Sequence, residues 1–169
     1  MATATKKATT VKKPTTTAKT VKKLTPKEIT ENFEKKGYEV FRDGGVYCIK
    51  HNGKWGFADA SGEIKIKPKF DGIGEDWVED IITTWGKDGL GFVNKKLEEI
   101  VKPKYGQSRA FHNGFAAVGK NLKWGFVDKN GKEVVPLIYD DVENFKGDKA
   151  KVKLGSKEFY IDKKGKIVK

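Results

Sequence analysis

Lys123-Trp124-Gly125-Phe126-Val127-Asp128 and its earlier copy, Lys54-Trp55-Gly56-Phe57-Ala58-Asp59, decide how the rest of the chain is read. Two weaker copies complete the set: Leu90-Gly91-Phe92-Val93-Asn94 and Glu158-Phe159-Tyr160-Ile161-Asp162. The steps from Trp55 to Leu90 to Trp124 to Glu158 are 35, 34 and 34 residues. A fixed period in this range marks a tandem array of one supersecondary unit. A second set of positions keeps the same register: Ile49, Thr84, Val118 and Val152 each precede the Trp position by six residues. Trp85-Gly86 imitates the motif but falls in another strand, so counting Trp-Gly pairs would misplace the units.

Each unit reads as three antiparallel strands. The motif is the first. A turn follows, as in Asp59-Ala60-Ser61-Gly62 or Asp128-Lys129-Asn130-Gly131, and then a second strand: Glu63 to Lys67, Glu98 to Lys102, or Lys132 to Val135. That strand leads through Pro68, Pro103 or Pro136 to Phe70, Tyr105 or Tyr139. The third strand is Ile81 to Trp85, Phe115 to Val118, or Lys149 to Leu154. Ahead of the first motif, Tyr38–Arg42 and Val46–His51 flank Asp43-Gly44-Gly45, and Asn52-Gly53 is a strong type I′ hairpin signal.

The motif positions have structural uses. Residues two apart on a strand share a face, so Trp55 with Phe57 and Trp124 with Phe126 form stripes. The aromatic position persists as Phe57, Phe92, Phe126 and Tyr160 while Trp does not. Gly56, Gly91 and Gly125 lie on the opposite face, where a strand glycine marks a close approach. The expectation is that a neighbouring unit's aromatic ring fills that space. Asp59, Asn94, Asp128 and Asp162 open the turns, where a short acceptor can bond backbone N–H groups.

Lys123-Trp124-Gly125-Phe126-Val127-Asp128-Lys129-Asn130-Gly131-Lys132-Glu133-Val134-Val135-Pro136, continuing to Tyr139-Asp140-Asp141-Val142, resembles a WG repeat, the Trp-Gly-containing β repeat. Residues 53–71 match it nearly as well, and the resemblance covers about residues 46–169. The second copy departs from the pattern in its Trp, and the last in both Trp and Gly. The resemblance implies a β-rich interaction or structural module with no shared catalytic residues and no specified ligand.

The resemblance does not reach residues 1–37. Residues 1–24 are mostly Ala, Thr and Lys, and such a segment cannot bury enough apolar surface to offset its ordering entropy. The formal net charge is +12 over 169 residues, and residues 1–27 hold eight Lys and no Asp or Glu. Lys6, Lys7, Lys12, Lys13, Lys19, Lys22 and Lys23 are therefore candidate contacts to an acidic protein surface or to nucleic-acid phosphates. Residues 25–37 read as a capping helix. Thr25 and Glu28 have capping-box spacing, Pro26 opens the helix and Gly37 ends it. Ile29 and Phe33 give one apolar stripe, suited to a lid on the first strands. Residues 38–169 are the β-repeat domain.

Chemistry-bearing groups are sparse. Cys48 is the sole cysteine, which fits a reducing compartment. His51 and His112 sit beside turns, and Cys48 and His51 project to opposite faces of one strand. Glu75-Asp76-Trp77-Val78-Glu79-Asp80 has oxygen ligands but no EF-hand spacing. Trp77, in this acidic loop and outside the repeat register, and Trp85 are candidate exposed anchors for a partner, or else cover one another or the sheet edge. No signal peptide or membrane span is read.

These features predict an all-β array of three-stranded antiparallel units. It is either an open stack or a ring closed by pairing the two termini, with an amino-terminal helix and a basic arm. The expected function is a non-enzymatic binding or structural protein without cofactor or metal. The arm would anchor it in a larger assembly, a virion or other particle, located in the cytoplasm or built there. Nucleic-acid binding through residues 1–24 is the alternative.

Overall fold

The computed structural model describes residues 23–169. Lys6, Lys7, Lys12, Lys13, Lys19 and Lys22 lie outside the described residues. Helix α1 (Pro26–Glu34) opens as its sequence dictates. The Thr25 hydroxyl accepts the Glu28 N–H at 3.3 Å, and the Glu28 carboxylate accepts the Thr25 N–H at 2.7 Å. Four antiparallel sheets then follow in chain order. Sheet I is β1 (Glu39–Asp43), β2 (Val46–His51), β3 (Lys54–Ala58) and β4 (Ile64–Phe70). Sheet II is β5 (Gly72–Ile73), β6 (Ile81–Gly86), β7 (Gly89–Asn94) and β8 (Glu99–Tyr105). Sheet III is β9 (Gln107–Ser108), β10 (Phe115–Lys120), β11 (Lys123–Asp128) and β12 (Glu133–Tyr139). Sheet IV is β13 (Asp141–Val142), β14 (Lys149–Leu154), β15 (Lys157–Asp162) and β16 (Ile167–Val168).

Each sheet thus has four strands, not three. The extra strand in sheets II–IV is two residues long and begins two residues after Phe70, Tyr105 or Tyr139. Two residues are too few to show alternation, so nothing in the sequence pattern marks them. The ring is also corrected. β1 pairs only with β2 and β16 only with β15, so no sheet joins the two ends of the described chain.

The sheets stack face to face, and the motif aromatic always points forward. Ile29 and Phe33 of α1 pack on Tyr47, Ile49 and Ala58 of sheet I. The other face of sheet I, with Cys48, Phe57 and Phe70, packs on Ile82 and Val93 of sheet II. Phe92 and Tyr105 continue onto Ala116, Val118 and Val127 of sheet III. Phe126 and Tyr139 pack on Val152 and Ile161 of sheet IV. Phe57, Phe92 and Phe126 are sealed by the next layer, while Tyr160, on which no further sheet packs among the described residues, is 40% exposed.

The motif glycines do not receive a neighbour's ring. A Cβ on Gly56 would lie 2.6 Å from the Pro68 nitrogen, on Gly91 2.7 Å from the Pro103 nitrogen, and on Gly125 2.8 Å from the Pro136 carbonyl carbon. The approaching group is the last strand of the same sheet. Between Trp55↔Phe70 and Phe57↔Ile66 that strand carries two extra residues, so it bulges over the glycine. The same register shift recurs in sheets II and III. Proline is tolerated at the bulge because no ladder N–H is needed there. In sheet IV the last strand, β16, pairs with β15 without a register shift, and Phe159 takes the glycine position and packs against Tyr139 at 6.2 Å between ring centroids.

The turn acids act as expected. Asp59 Oδ1 accepts the Ser61 N–H at 2.9 Å, the Ser61 hydroxyl at 2.6 Å and the Glu63 N–H at 3.1 Å. Neutral Asn94 accepts the Lys96 and Glu98 N–H groups in the same geometry, each at 3.0 Å. Burial works against ionisation of Asp59, but the bonds from Ser61, Glu63 and Lys65 outweigh it and bring the carboxyl down to about 2. A carboxyl lowered on folding contributes stability above its ordinary value of 3.8, and that contribution is lost as pH falls through about 2. Asp59→Ala is expected to cost about 1–2 kcal/mol at pH 7. Asp59→Asn keeps the acceptor oxygen, so its deficit against wild type should shrink steadily between pH 4 and pH 2 in urea titrations. A deficit independent of pH would refute the assignment.

Candidate functional site: an aromatic cleft between the first two sheets

A cleft of about 580 Å³ opens between sheets I and II. Phe41, Trp55 and Trp77 supply its aromatic surface, Cys48 and Ile82 its buried floor, and Ile73 and Gly74 its far side. Arg42, Asp43, Glu75 and Asp76 complete the lining. This size and mixture, mostly apolar with a few charged groups, is that of a ligand-binding concavity.

Each ring is placed by the repeat. Trp55 is held on β3 opposite Lys50, in register with Leu90 and Trp124. Phe41 comes from β1, opposite Cys48, and its ring lies 5.2 Å from that of Trp55. Phe41 remains 52% exposed. Trp77 meets Phe57 edge-on at 5.8 Å. Burial, and secondarily the Asp43 carboxylate, push the Cys48 thiol up to about 11. Cys48 is thus a protonated, weakly polar floor rather than a nucleophile.

Trp77 is inside the repeat register, contrary to its reading as an irregular loop residue. Phe111 meets Phe92 edge-on at 5.1 Å and Phe145 lies 4.7 Å from Phe126, just as Trp77 lies on Phe57. The three plugs are 34 residues apart, a signal present in the sequence at 77, 111 and 145. Trp77 is the largest of the three, and it alone lines this cleft. Trp85 is elsewhere: it pairs across the ladder with Leu90, and a Cβ on Gly72 would run into its indole. It is 40% exposed and does not cover Trp77. Lys23 is exposed at the start of the described chain.

The acidic run divides. Glu75 and Asp76 face the cleft, while Glu79 leaves it to accept the Gly114 N–H at 2.9 Å and pair with Lys129 at 3.0 Å. Burial opposes ionisation of Glu79, but Lys129 and Gly114 outweigh it and hold the carboxyl below its ordinary value. Glu79 is thus a clasp between sheets II and III. Its backbone, at φ 51°, and that of Asp80, at φ 65°, form the same two-residue turn that Gly44 and Gly45 make in sheet I.

Sequence reading missed Phe41, Arg42 and Asp43. They lie on β1, ahead of the first full motif, and only the pairing of β1 with β2 brings them over Trp55.

Comparison with known families shows that the sequence profile described as WG containing repeat matches residues 55–83, 91–124 and 124–157. No curated protein matches the chain, and no solved structure does. Among the described residues no helix is long and apolar enough to cross a membrane.

Proposed function

The chain belongs to the WG containing repeat family, and from that premise we propose that it is a non-enzymatic protein-interaction module whose docking site is the cleft between sheets I and II. The observation that carries this reading is Phe41. A phenylalanine 52% exposed, tilted against a tryptophan and lining a 580 Å³ concavity, is the kind of aromatic anchor that concentrates binding energy. Phe41 sits on an edge strand, so Phe41→Ser leaves the packing between sheets intact. The full-length protein and this variant are compared for the partners they retain on purification. Loss of a stoichiometric protein partner from Phe41→Ser, with an unchanged melting temperature, is the expected result. Retention of every partner rules the cleft out.

A second reading rests on the charge of the amino-terminal residues. Eight lysines without an acid in residues 1–27 would tether the array within a larger cytoplasmic assembly, such as a virion or other particle, or on nucleic acid. Partners held in this way survive Phe41→Ser and are lost when residues 1–24 are removed. Nucleic-acid binding of this kind weakens steeply with salt.

A further inference from the structure

The third and fourth sheets fill their own version of the cleft, and the filling is an arginine. Arg109 donates its N–H to the Ala117 carbonyl, one residue before the buried slot residue Val118, as Phe41 pairs with Cys48 before Ile49. Phe41 and Arg109 therefore hold equivalent positions over Trp55 and Trp124. The Arg109 guanidinium lies 5.1 Å from the Trp124 ring, donates Nη1–H to the Val142 carbonyl, and sits 3.3 Å from Asp141 Oδ1. It ties the tryptophan of one sheet to the short first strand of the next.

Between sheets I and II the same receptor lacks that group. Phe41 covers Trp55 at 5.2 Å between ring centroids, tilted by 41°, but has no donor. The counterpart of Val142 is Ile73, since these residues pair with Val152 and Thr84 in the same register. Among the described residues no side-chain donor reaches Ile73, which lines the cleft. Asp43, Glu75 and Asp76 face the opening against the single cation Arg42. The rings already attract cations: Lys50 lies 5.6 Å from Trp55 and Lys95 5.9 Å from Trp77, and neither lysine lines the cleft.

We propose that the cleft takes an arginine side chain of a partner protein. Its guanidinium enters between Phe41 and Trp77, donates to the Ile73 carbonyl, and is neutralised by Glu75, Asp76 and Asp43. Planarity, five donors and weak hydration suit guanidinium to aromatic walls and carboxylates better than ammonium. This rests on the cleft being the docking site and names what docks there.

The test uses the full chain labelled with ¹⁵N and three acetylated, amidated peptides: Gly-Ser-Arg-Ser-Gly, the same peptide with neutral citrulline for arginine, and Gly-Ser-Glu-Ser-Gly. The arginine peptide is expected to shift the indole N–H signals of Trp55 and Trp77 and leave that of Trp124 in place. Citrulline should weaken binding about tenfold, because the charge assistance is lost while the shape is kept. Glu75→Gln combined with Asp76→Asn should weaken the arginine peptide by a similar factor with no change in melting temperature. Equal binding of the arginine and citrulline peptides overturns the arginine assignment while leaving the cleft as a docking site. No shift at Trp55 and Trp77, or equal shifts at Trp124, also overturns it, and the Phe41→Ser comparison then decides separately whether anything docks there. Shifts seen only after residues 1–22 are removed identify the chain's own lysines as the occupant and overturn the partner assignment.

Discussion

Gly91→Ala is expected to destabilise the array by about 3 kcal/mol or more. The backbone of Gly91 is not in the left-handed region, so an alanine there meets no conformational objection. The cost is steric. The new Cβ would lie 2.7 Å from the Pro103 nitrogen and 2.9 Å from the Lys102 carbonyl carbon. Both are backbone atoms of a bulge pinned on either side by Leu90↔Tyr105 and Phe92↔Val101, so neither can swing aside. At roughly 2–4 °C per kcal/mol for a chain of this size, the melting temperature should fall by roughly 6–12 °C. Gly106→Ala is the control. Its nearest non-neighbouring atom would be the Gly119 oxygen at 3.8 Å, and its change should stay within about 0.5 kcal/mol. Similar melting temperatures for the two variants would show that the bulge yields and that the motif glycine has some other cause.

Phe126→Ala should cost about 3–5 kcal/mol, the range for emptying a buried aromatic site. Phe126 is 1% exposed, pairs with Val135 across the ladder and lies 4.7 Å from the Phe145 ring. Its neighbours Val152 and Ile161 belong to sheet IV, so the damage falls on the junction between sheets III and IV. In an array whose stability is a sum of unit and interface contributions, sheet IV should then open before sheet I. Amide exchange is expected to accelerate in β14 and β15 while β2 and β3 keep their protection. Tyr160→Ala changes the same repeat position in sheet IV, where the ring is 40% exposed. Its cost should stay near 0.5 kcal/mol. Uniform loss of protection throughout the chain after Phe126→Ala would show that the sheets unfold as one unit.

Much of the fold could be read before any coordinate. The period, the slot residues Ile49, Thr84, Val118 and Val152, the turn acids and the capping box all turn on local spacing, and each holds in the structure. Spacing also carried the Trp77 plug, which was overlooked because its partners are Phe111 and Phe145 rather than tryptophans. The two-residue strands left no trace, since they acquire their identity only by pairing with β6, β10 and β14. The role of the motif glycines was misplaced for a similar reason. Alternation gives the face on which a glycine lies, but not which backbone crosses it.

Residue order alone identifies a repeat array of antiparallel β units, marks where each unit begins, and shows that charge is concentrated at the amino-terminal end. Those properties reside in the order of residues along one strand or turn. Packing between sheets makes the array an open stack and turns Phe57, Phe92 and Phe126 forward onto the sheet that follows each. It also decided that one junction is closed by Arg109 while another is left as a cleft under Phe41. The physical reason is that a strand's pattern fixes which side chains share a face, whereas what covers that face depends on residues one period away. Phe41, Trp55 and Trp77 become a site only when sheet I is laid on sheet II.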